Sequence, residues 1–277
     1  MAWEYLQPVT IRFGEGSVGE LEKVASELNC KRGLLVSDPF FVKSGLAQKI
    51  VAGSNGVLVD IYSEISPNPE VREVDACAKL IKEKKVDFLV ALGGGSALDC
   101  AKASGTICFT EDSICKYHGT GEVLPKQHLP LIAIPTTAGT GSETTLAAVI
   151  TDAETRHKYA INDFPLIPRY AVLDPKVTLS LPPFITATTG MDALTHAVEA
   201  YIGNSTTPGT RKNALDAVRL IFENLDTAYT HGNNIEARRN MLRASYFAGC
   251  AFTKSYVGYV HAIAHSLGGK YNVPHGL

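Results

Sequence analysis

Short apolar runs alternate with helical stretches over the first two-thirds of the 277-residue chain. Several runs are continuous, which is typical of strands covered on both faces, as in a parallel sheet. The predicted strands are Lys31–Ser37, Gly56–Ile61, Val86–Leu92, Leu131–Ile134 and Tyr170–Leu173. Between them, Glu70–Lys84 repeats apolar residues at three- and four-residue spacing, which predicts a helix. The alternation predicts an open α/β domain.

The pattern changes after Pro182–Pro183, because four helical segments follow with no convincing strand between them. These segments are Ile185–Tyr201, Thr210–Ala228, Asn234–Ser255 and Tyr259–Gly268. We therefore predict two domains, an α/β domain over residues 1–182 and a helical domain over residues 183–277.

Composition excludes several classes of function. The formal net charge is -2 and the basic residues are scattered, so the charge does not favour binding to nucleic acid or to an anionic membrane. No apolar run approaches the roughly 20 residues that span a bilayer, and the first ten residues lack the pattern of a signal sequence. Six dispersed cysteines, with no Cys-x-x-Cys pair, predict reduced thiols in a cytoplasmic protein.

A glycine-rich turn, Leu92-Gly93-Gly94-Gly95-Ser96, follows a predicted strand and opens a predicted helix over Ala97–Gly105. In that context, backbone N–H groups and the helix N-terminus can bind a pyrophosphate. The segment matches neither the G-x-G-x-x-G pattern nor a P-loop. Taken alone, this segment is explained equally well by a strand-to-helix turn with a purely structural role.

A second segment, Pro135–Glu143, follows the next predicted strand and contains four hydroxyl side chains and two glycines. It suits a loop that binds phosphate or ribose oxygens, although a hydroxyl-rich helix cap is the alternative. Two such loops at the carboxyl ends of strands predict a dinucleotide crevice. Asp38 ends another strand, where an acid would bind ribose hydroxyls and repel a 2′-phosphate, favouring NAD over NADP. The alternative interpretation of Asp38 is an Asx turn before Pro39.

A carboxylate and several histidines recur at helical spacing in the second domain. Asp192 and His196 are four residues apart, as are His261 and His265, and His275 follows. A single such pair is more often structural, but the combination suits Fe(II) or Zn(II) with room for a substrate oxygen. The remaining histidines lie in polar segments and are interpreted as surface residues; they are His118, His128, His157 and His231.

These motifs together resemble the iron-containing (group III) alcohol dehydrogenases. The resemblance covers essentially the whole chain, and its anchors are Gly93–Lys102, Pro135–Glu143, Gly190–Tyr201 and Val260–Leu277. It implies a Rossmann-like α/β dinucleotide-binding domain followed by an all-helical domain of the dehydroquinate synthase-like type, with the active site between them. Family members continue well beyond Pro274-His275-Gly276, so the helical domain is expected to be incomplete here, as if cut short at the C-terminus.

Matching positions of the family imply a role for each candidate residue. The implied metal ligands are Asp192, His196, His261 and His275, with His265 as an additional catalytic histidine beside the substrate. The implied cofactor-binding residues are Asp38, Asn68, Gly94, Gly95, Ser96, Asp99, Thr136, Thr137, Thr140, Lys158 and Val177. Phe252 is implied to wall the substrate pocket.

The resemblance implies reversible hydride transfer between NAD, rather than NADP, and a small primary alcohol or diol. Fe(II) is the implied metal, with Zn(II) as the alternative, and a homodimer or larger homo-oligomer is the implied assembly. Two other functions stay open at this point. One is a relative within the same superfamily, a glycerol-dehydrogenase-like zinc enzyme or a dehydroquinate-synthase-like lyase. The other is a nucleotide-binding chain without turnover that acts as a structural subunit.

Overall fold

The computed structural model describes residues 9–118, 120–155, 157–271 and 273–277. Its main element is a six-stranded sheet with the strand order β1-β8-β5-β4-β2-β3, in which every pair is parallel. The strands are β1 (Thr10–Phe13), β2 (Gly33–Ser37), β3 (Leu58–Tyr62), β4 (Phe88–Gly93), β5 (Leu131–Pro135) and β8 (Tyr170–Leu173). The predicted strands are confirmed, with bounds shifted by no more than a few residues.

Helices cover both faces of this sheet, which explains the continuous apolar runs. The helices are α1 (Leu21–Glu27), α2 (Pro39–Lys43), α3 (Leu46–Gly53), α4 (Val71–Lys84) and α5 (Gly95–Ile107). Along β2, Leu34 and Val36 face a core formed with α4 and α5, whereas Leu35 faces a core formed with α1 and α3. The carboxyl ends of β4 and β5 therefore emerge at one edge of a layer that is buried on both faces.

Three strands of the described structure were not predicted from the sequence. The edge strand β1 is short and half-exposed, so it lacks a continuous apolar run. The other two, β6 (Ala147–Asp152) and β7 (His157–Asn162), form a separate antiparallel pair. Their residues alternate between buried and more exposed, and this weaker pattern marks a ribbon with one covered face.

The C-terminal part is helical, as predicted, and contains no strand among its described residues. Its helices are α6 (Pro183–Ile202), α7 (Pro208–Thr230), α8 (Ile235–Ser255) and α9 (Tyr259–Tyr271). Helices α6, α7 and α8 pack closely because they meet through small residues, Ala197, Ala200, Ala214, Ala217, Ala248 and Ala251. None of the described helices is long and apolar enough to cross a bilayer.

Three polar helix starts explain where these elements begin. Glu70 and Glu73 form a reciprocal capping box at α4, and Thr207 and Thr210 form one at α7. Asn234 accepts a hydrogen bond from the N–H of Ala237 at the start of α8. Helix α6 begins at Pro183, a favoured first helical residue, directly after the change in sequence pattern.

Candidate metal centre and dinucleotide crevice

Asp192 lies at the centre of a cluster of imidazoles formed by α6, α9 and the segment after α9. Its Oδ1 atom is 3.6 Å from Nε2 of His261 and 3.6 Å from Nε2 of His275. One potential ligand atom from each of these three residues lies within 4.8 Å of the others. The fold thus brings together residues separated by more than 80 positions in sequence.

His196 borders this cluster without joining its tightest group. Its Nδ1 atom is 3.9 Å from Oδ1 of Asp192, one helical turn away. Its ring stacks on His261, with centroids 4.2 Å apart, and on Phe252, with centroids 4.1 Å apart. Phe252 therefore lies directly beside the cluster.

The electrostatics favour an ionised Asp192 beside neutral His196 and His275, whereas the neighbouring carboxylates of Asp192 and Glu199 outweigh burial and raise the pKa of His261. Burial would raise the pKa of Asp192, but the neighbouring His196, His261 and His275 outweigh it and lower this pKa to about 2. Burial lowers the pKa of His196 to about 4, against the opposing charge of Asp192. Burial also lowers the pKa of His275. A carboxylate and lone pairs on imidazole nitrogen are the donors that a divalent ion requires.

The local hydrogen bonding is consistent with a metal site. The separations of 3.6 Å around Asp192 are too long for hydrogen bonds, so the carboxylate and the two imidazoles do not satisfy one another. In the described part of the chain, the buried Nδ1 atoms of His196 and His275 have no hydrogen-bond partner. Buried polar groups are normally paired. An ion coordinated by this group would satisfy part of that deficit, so the residues fit a divalent metal.

His265 lies one helical turn after His261, with its ring centroid 4.9 Å from that of His275. Burial, followed by the charges of His275 and Lys158, lowers the pKa of His265 to about 4. An open pocket is lined by Asp192, His261 and His275, and its apolar lining comes from Met191, Val260, Ala264 and Leu277. A small organic molecule in this pocket would contact the Asp192 cluster.

Glu199 is a residue of this site that the sequence analysis missed. Its Oε2 atom is 2.5 Å from Nδ1 of His261, on the side of the ring opposite Asp192. The available signal was its spacing, since Asp192, His196 and Glu199 recur at four- and three-residue intervals on one face of α6.

The first glycine-rich turn joins β4 to α5 and meets Asp38. The N–H of Gly94 donates to Oδ2 of Asp38 at 3.0 Å, and Asp38 follows the neighbouring strand β2. Burial raises the pKa of Asp38 to about 6, although the Gly94 N–H opposes this shift. Gly95 begins α5, and the Ser96 hydroxyl donates to the carbonyl of Pro67 at 2.5 Å. Asp38 is thus bound to the turn whose N–H groups would face a pyrophosphate.

The second loop, residues 136–145, packs directly against the first turn. A Cβ on Gly95 would lie 3.0 Å from Cγ2 of Thr140, and one on Gly94 would lie 3.5 Å from Cγ2 of Thr137. The N–H of Thr136 donates to the carbonyl of Gly93 at 2.9 Å. The buried Thr136 hydroxyl has no partner among the described residues. The two predicted loops therefore form one continuous surface.

Asp99 lies behind these loops. Its Oδ1 accepts from the Ser142 hydroxyl at 2.8 Å, and its Oδ2 accepts from the N–H of Val149 at 3.0 Å. Lys102, which is buried, donates to the Ser142 hydroxyl and to the carbonyl of Ala147. Both oxygens of Asp99 thus accept hydrogen bonds within the protein, and these bonds support the second loop.

The remaining candidate cofactor residues lie at two places. Nζ of Lys158, on β7, donates to Oδ1 of Asn68 at 3.0 Å. Burial lowers the pKa of Lys158, opposed by the charges of Asp99 and Asp192. Val177 is buried in the core beneath the sheet together with Leu92 and Ile134.

Comparison with known proteins identifies the family. The family model for iron-containing alcohol dehydrogenases matches residues 8–175, and the model for the C-terminal region of the same family matches residues 186–277. Alcohol dehydrogenase 4 of Schizosaccharomyces pombe is 43% identical over 268 residues, which are 96% of this chain and 63% of that protein. The 1,3-propanediol dehydrogenase of Klebsiella pneumoniae is 39% identical over 99% of this chain and 72% of its own length.

Solved structures agree in fold. Sulfoacetaldehyde reductase from Bifidobacterium kashiwanohense, solved with NAD+, superposes with a TM-score of 0.97 at 44% identity, over all of this chain and 73% of that one. A 1,3-propanediol oxidoreductase gives a TM-score of 0.92 at 37% identity, over all of this chain and 72% of that one. The resemblance and the fold class predicted from the sequence are confirmed. The chain belongs to the iron-containing alcohol dehydrogenase family.

Proposed function

We propose that this chain is a metal-dependent, NAD-linked oxidoreductase that interconverts a small primary alcohol or diol and its aldehyde. The observation that carries the proposal is the meeting of Asp192, His261 and His275 beside an apolar pocket. Helix α9, which carries His261 and His265, packs against β7, the strand that carries Lys158. The charges of Asp99 and Asp192 both oppose the lowering of the Lys158 pKa by burial. Relatives named as alcohol, methanol and 1,3-propanediol dehydrogenases support the substrate class.

The proposed metal ligands are Asp192, His196, His261 and His275. One carboxylate with imidazoles suits either Fe(II) or Zn(II), and we propose Fe(II) as the resident ion because the family is named for iron. The Nδ1 atom of His196, which faces Asp192 and has no hydrogen-bond partner among the described residues, supports this set.

The proposed cofactor is NAD. Gly94, Gly95 and Ser96 would bind the pyrophosphate at the start of α5, and Thr136, Thr137 and Thr140 would bind phosphate and ribose oxygens. Asn68, Lys158 and Val177 would line the remainder of the site, while Asp99 would hold the loops. Asp38 would select NAD over NADP, because its carboxylate would repel a 2′-phosphate.

The reaction takes a hydride and a proton from an alcohol, giving an aldehyde, NADH and a free proton. When bound, the divalent ion supplies Lewis-acid polarisation of the substrate oxygen, and the nicotinamide ring supplies the hydride acceptor. His265 would relay the hydroxyl proton, because its pKa, lowered to about 4, keeps the ring neutral with a free nitrogen lone pair. Phe252, held against His196, would limit the size of the pocket.

The proposal also covers the domain boundary, the cellular compartment and the oligomeric state. We keep the division into an α/β domain over residues 1–182 and a helical domain over residues 183–277, which the start of α6 at Pro183 supports. A cytoplasmic enzyme is supported by the six free cysteines. A homo-oligomer is supported by edge strand β1, which carries the exposed Ile11 and Phe13.

The test is anaerobic loading with Fe(II) or Zn(II), measurement of bound metal, and an assay of NADH formation with ethanol, butanol, 1,3-propanediol and glycerol. One metal per chain and turnover with an alcohol are expected. Turnover with glycerol alone would favour the glycerol-dehydrogenase-like alternative. A folded protein that binds no metal would contradict the proposed ligands, and NADH binding without turnover on any alcohol would favour a non-catalytic subunit.

A further inference from the structure

Glu199 uses both of its carboxylate oxygens at the start of α9. Its Oε2 contacts Nδ1 of His261 at 2.5 Å, and its Oε1 accepts from the N–H of Val260 at 2.8 Å. The side chain is 6% exposed. A buried carboxylate bound in this way is a defined structural connection between α6 and α9 and not a solvated charge.

The contact with Glu199 determines which nitrogen of His261 carries the proton. A carboxylate only accepts hydrogen bonds, so Nδ1 of His261 must be the donor. In a neutral imidazole the other nitrogen, Nε2, then has a free lone pair. This is the nitrogen that lies 3.6 Å from Oδ1 of Asp192, on the side of the ring that faces the Asp192 cluster.

The contact with Val260 holds the start of the helix that carries two of the active-site histidines. The first N–H groups of a helix lack partners within the helix, and here a side chain from α6 satisfies one of them. Helix α9 needs such a connection, because His261 is its only buried residue among those described. A Cβ on Gly258 would lie 2.9 Å from Oε1 of Glu199, so the chain passes close to the carboxylate immediately before α9.

We propose that Glu199 is a positioning residue of the metal centre, which keeps His261 in the Nδ1–H tautomer with Nε2 directed at the metal and holds α9 in place. The inference rests on the proposed function in that it assumes a metal between Asp192 and His261. Removal of a carboxylate that binds the second nitrogen of a metal-binding histidine commonly lowers metal affinity by about 10- to 100-fold.

The substitution Glu199→Gln tests this role with almost no change in shape. An amide offers one accepting oxygen and one donating NH2 group, so it cannot accept from both His261 Nδ1 and the Val260 N–H. If the NH2 group faces the ring, Nδ1 must accept, and the proton moves to Nε2, where it blocks the metal. Glu223→Gln, on an exposed part of α7, is the matched control.

Two measurements test the proposal, and a third checks that the fold is intact. Zn(II) affinity, from competition with a chromophoric chelator, is expected to fall about 10- to 100-fold in Glu199→Gln and to stay within about twofold of the unsubstituted protein in Glu223→Gln. Ring 15N chemical shifts of metal-free protein are expected to give the Nδ1–H tautomer for His261, and to change in Glu199→Gln only. NADH affinity, expected to be unchanged in both variants, checks the rest of the fold.

The proposal is overturned if Glu199→Gln binds Zn(II) as tightly as the unsubstituted protein, or if His261 of the metal-free, unsubstituted protein carries its proton on Nε2. The second measurement needs no variant, so it holds even if Glu199→Gln does not fold. Absence of Zn(II) binding by the unsubstituted protein would contradict the proposed function instead, and the tautomer of His261 would still decide whether Glu199 positions that ring.

Discussion

Gly141, in the loop over residues 136–145, lies against Gly249 in the middle of α8. A Cβ on Gly141 would come within 2.8 Å of the Cα of Gly249, and one on Gly249 would come within 3.0 Å of the carbonyl oxygen of Gly141. Because neither residue has a side chain, the loop backbone reaches the surface of the helix. The proposed phosphate-binding loop is therefore supported by the helical part of the chain.

Gly249→Ala is expected to disrupt this contact. The new methyl group would meet the hydroxyl of Thr144 and then the backbone of Gly141. The backbone cannot rotate away as a side chain can, so the loop must shift. Such overpacking typically lowers the free energy of unfolding by about 1–3 kcal/mol. We expect a loss of this size by denaturant unfolding, together with weaker NADH binding by fluorescence titration.

Gly53→Ala is the control for this substitution, because Gly53 is also helical and a Cβ there would meet nothing within 4 Å. Its effect is expected to stay within about 1 kcal/mol. Equal stability and equal NADH affinity of the two variants would contradict the proposed role of the Gly141–Gly249 contact.

The parts of the fold that could be predicted from sequence are those with a simple periodicity. Strands buried on both faces, such as β4, and long amphipathic helices, such as α7, leave a regular pattern that local sequence shows. The ribbon β6–β7 is half-covered and short, so its pattern is weak. Lys158 lies on this ribbon, and its distance from Asp192 is a property of tertiary structure that no local pattern contains.

The candidate site, like the fold, could be predicted from the sequence only in part. Spacing on a helix predicts that Asp192 and His196 share a face, but it does not predict which nitrogen of an imidazole meets which carboxylate. Asp99 shows this limit, since its position in α5 allows a side chain directed at the crevice or at the supporting loop, and the hydrogen bonds with Ser142 and Val149 select the second. Glu199 was missed because a glutamate on a helix is usually a solvated residue.

Asp38 is expected to make cofactor preference dependent on pH. Since burial raises the pKa of Asp38 to about 6, its carboxyl group is largely neutral at pH 5 and charged at pH 7.5. Repulsion of a 2′-phosphate should therefore be weak at pH 5 and develop as pH rises. We expect the ratio of NADPH to NADH dissociation constants to increase roughly tenfold across this range, which corresponds to about 1.4 kcal/mol.

Asp38→Asn separates this effect from the titration of the 2′-phosphate itself, because the amide keeps the shape of the side chain and never ionises. Its NADPH to NADH ratio should lie closer to one, with a smaller dependence on pH, when both constants are measured by fluorescence titration. A ratio that rises equally in both proteins would show that Asp38 does not select the cofactor.

Lys102 is expected to be a structural requirement of the second loop. It is buried, its pKa is lowered to about 8 by burial against the opposing charges of Asp99 and Glu143, and it donates to Ser142, Thr145 and Ala147. Lys102→Met would remove the ammonium group that lies 4.0 Å from Asp99 and donates to the buried loop. Losses of this kind cost about 3–5 kcal/mol of stability.

The measurement is denaturant unfolding of Lys102→Met beside Lys79→Met, which removes a lysine whose side chain is 78% exposed on α4. The control should change stability by no more than about 0.5 kcal/mol. If the two variants unfold alike, the network around Asp99 contributes little, and the loop must be held by other contacts such as that between Gly141 and Gly249.

Metal binding is expected to stabilise the fold through Asp192. A ligand that binds only the native state adds about 2.7 kcal/mol at a concentration of 100 times its dissociation constant, so Zn(II) should raise the melting temperature and a chelator should reverse the shift. Asp192→Asn removes the carboxylate charge that lies within 4 Å of His196, His261 and His275 alike. The Zn(II)-dependent shift should then be lost, whereas Asp226→Asn, at an exposed position on α7, should retain it. A Zn(II)-dependent shift that survives in Asp192→Asn would mean that the ion binds elsewhere on the protein.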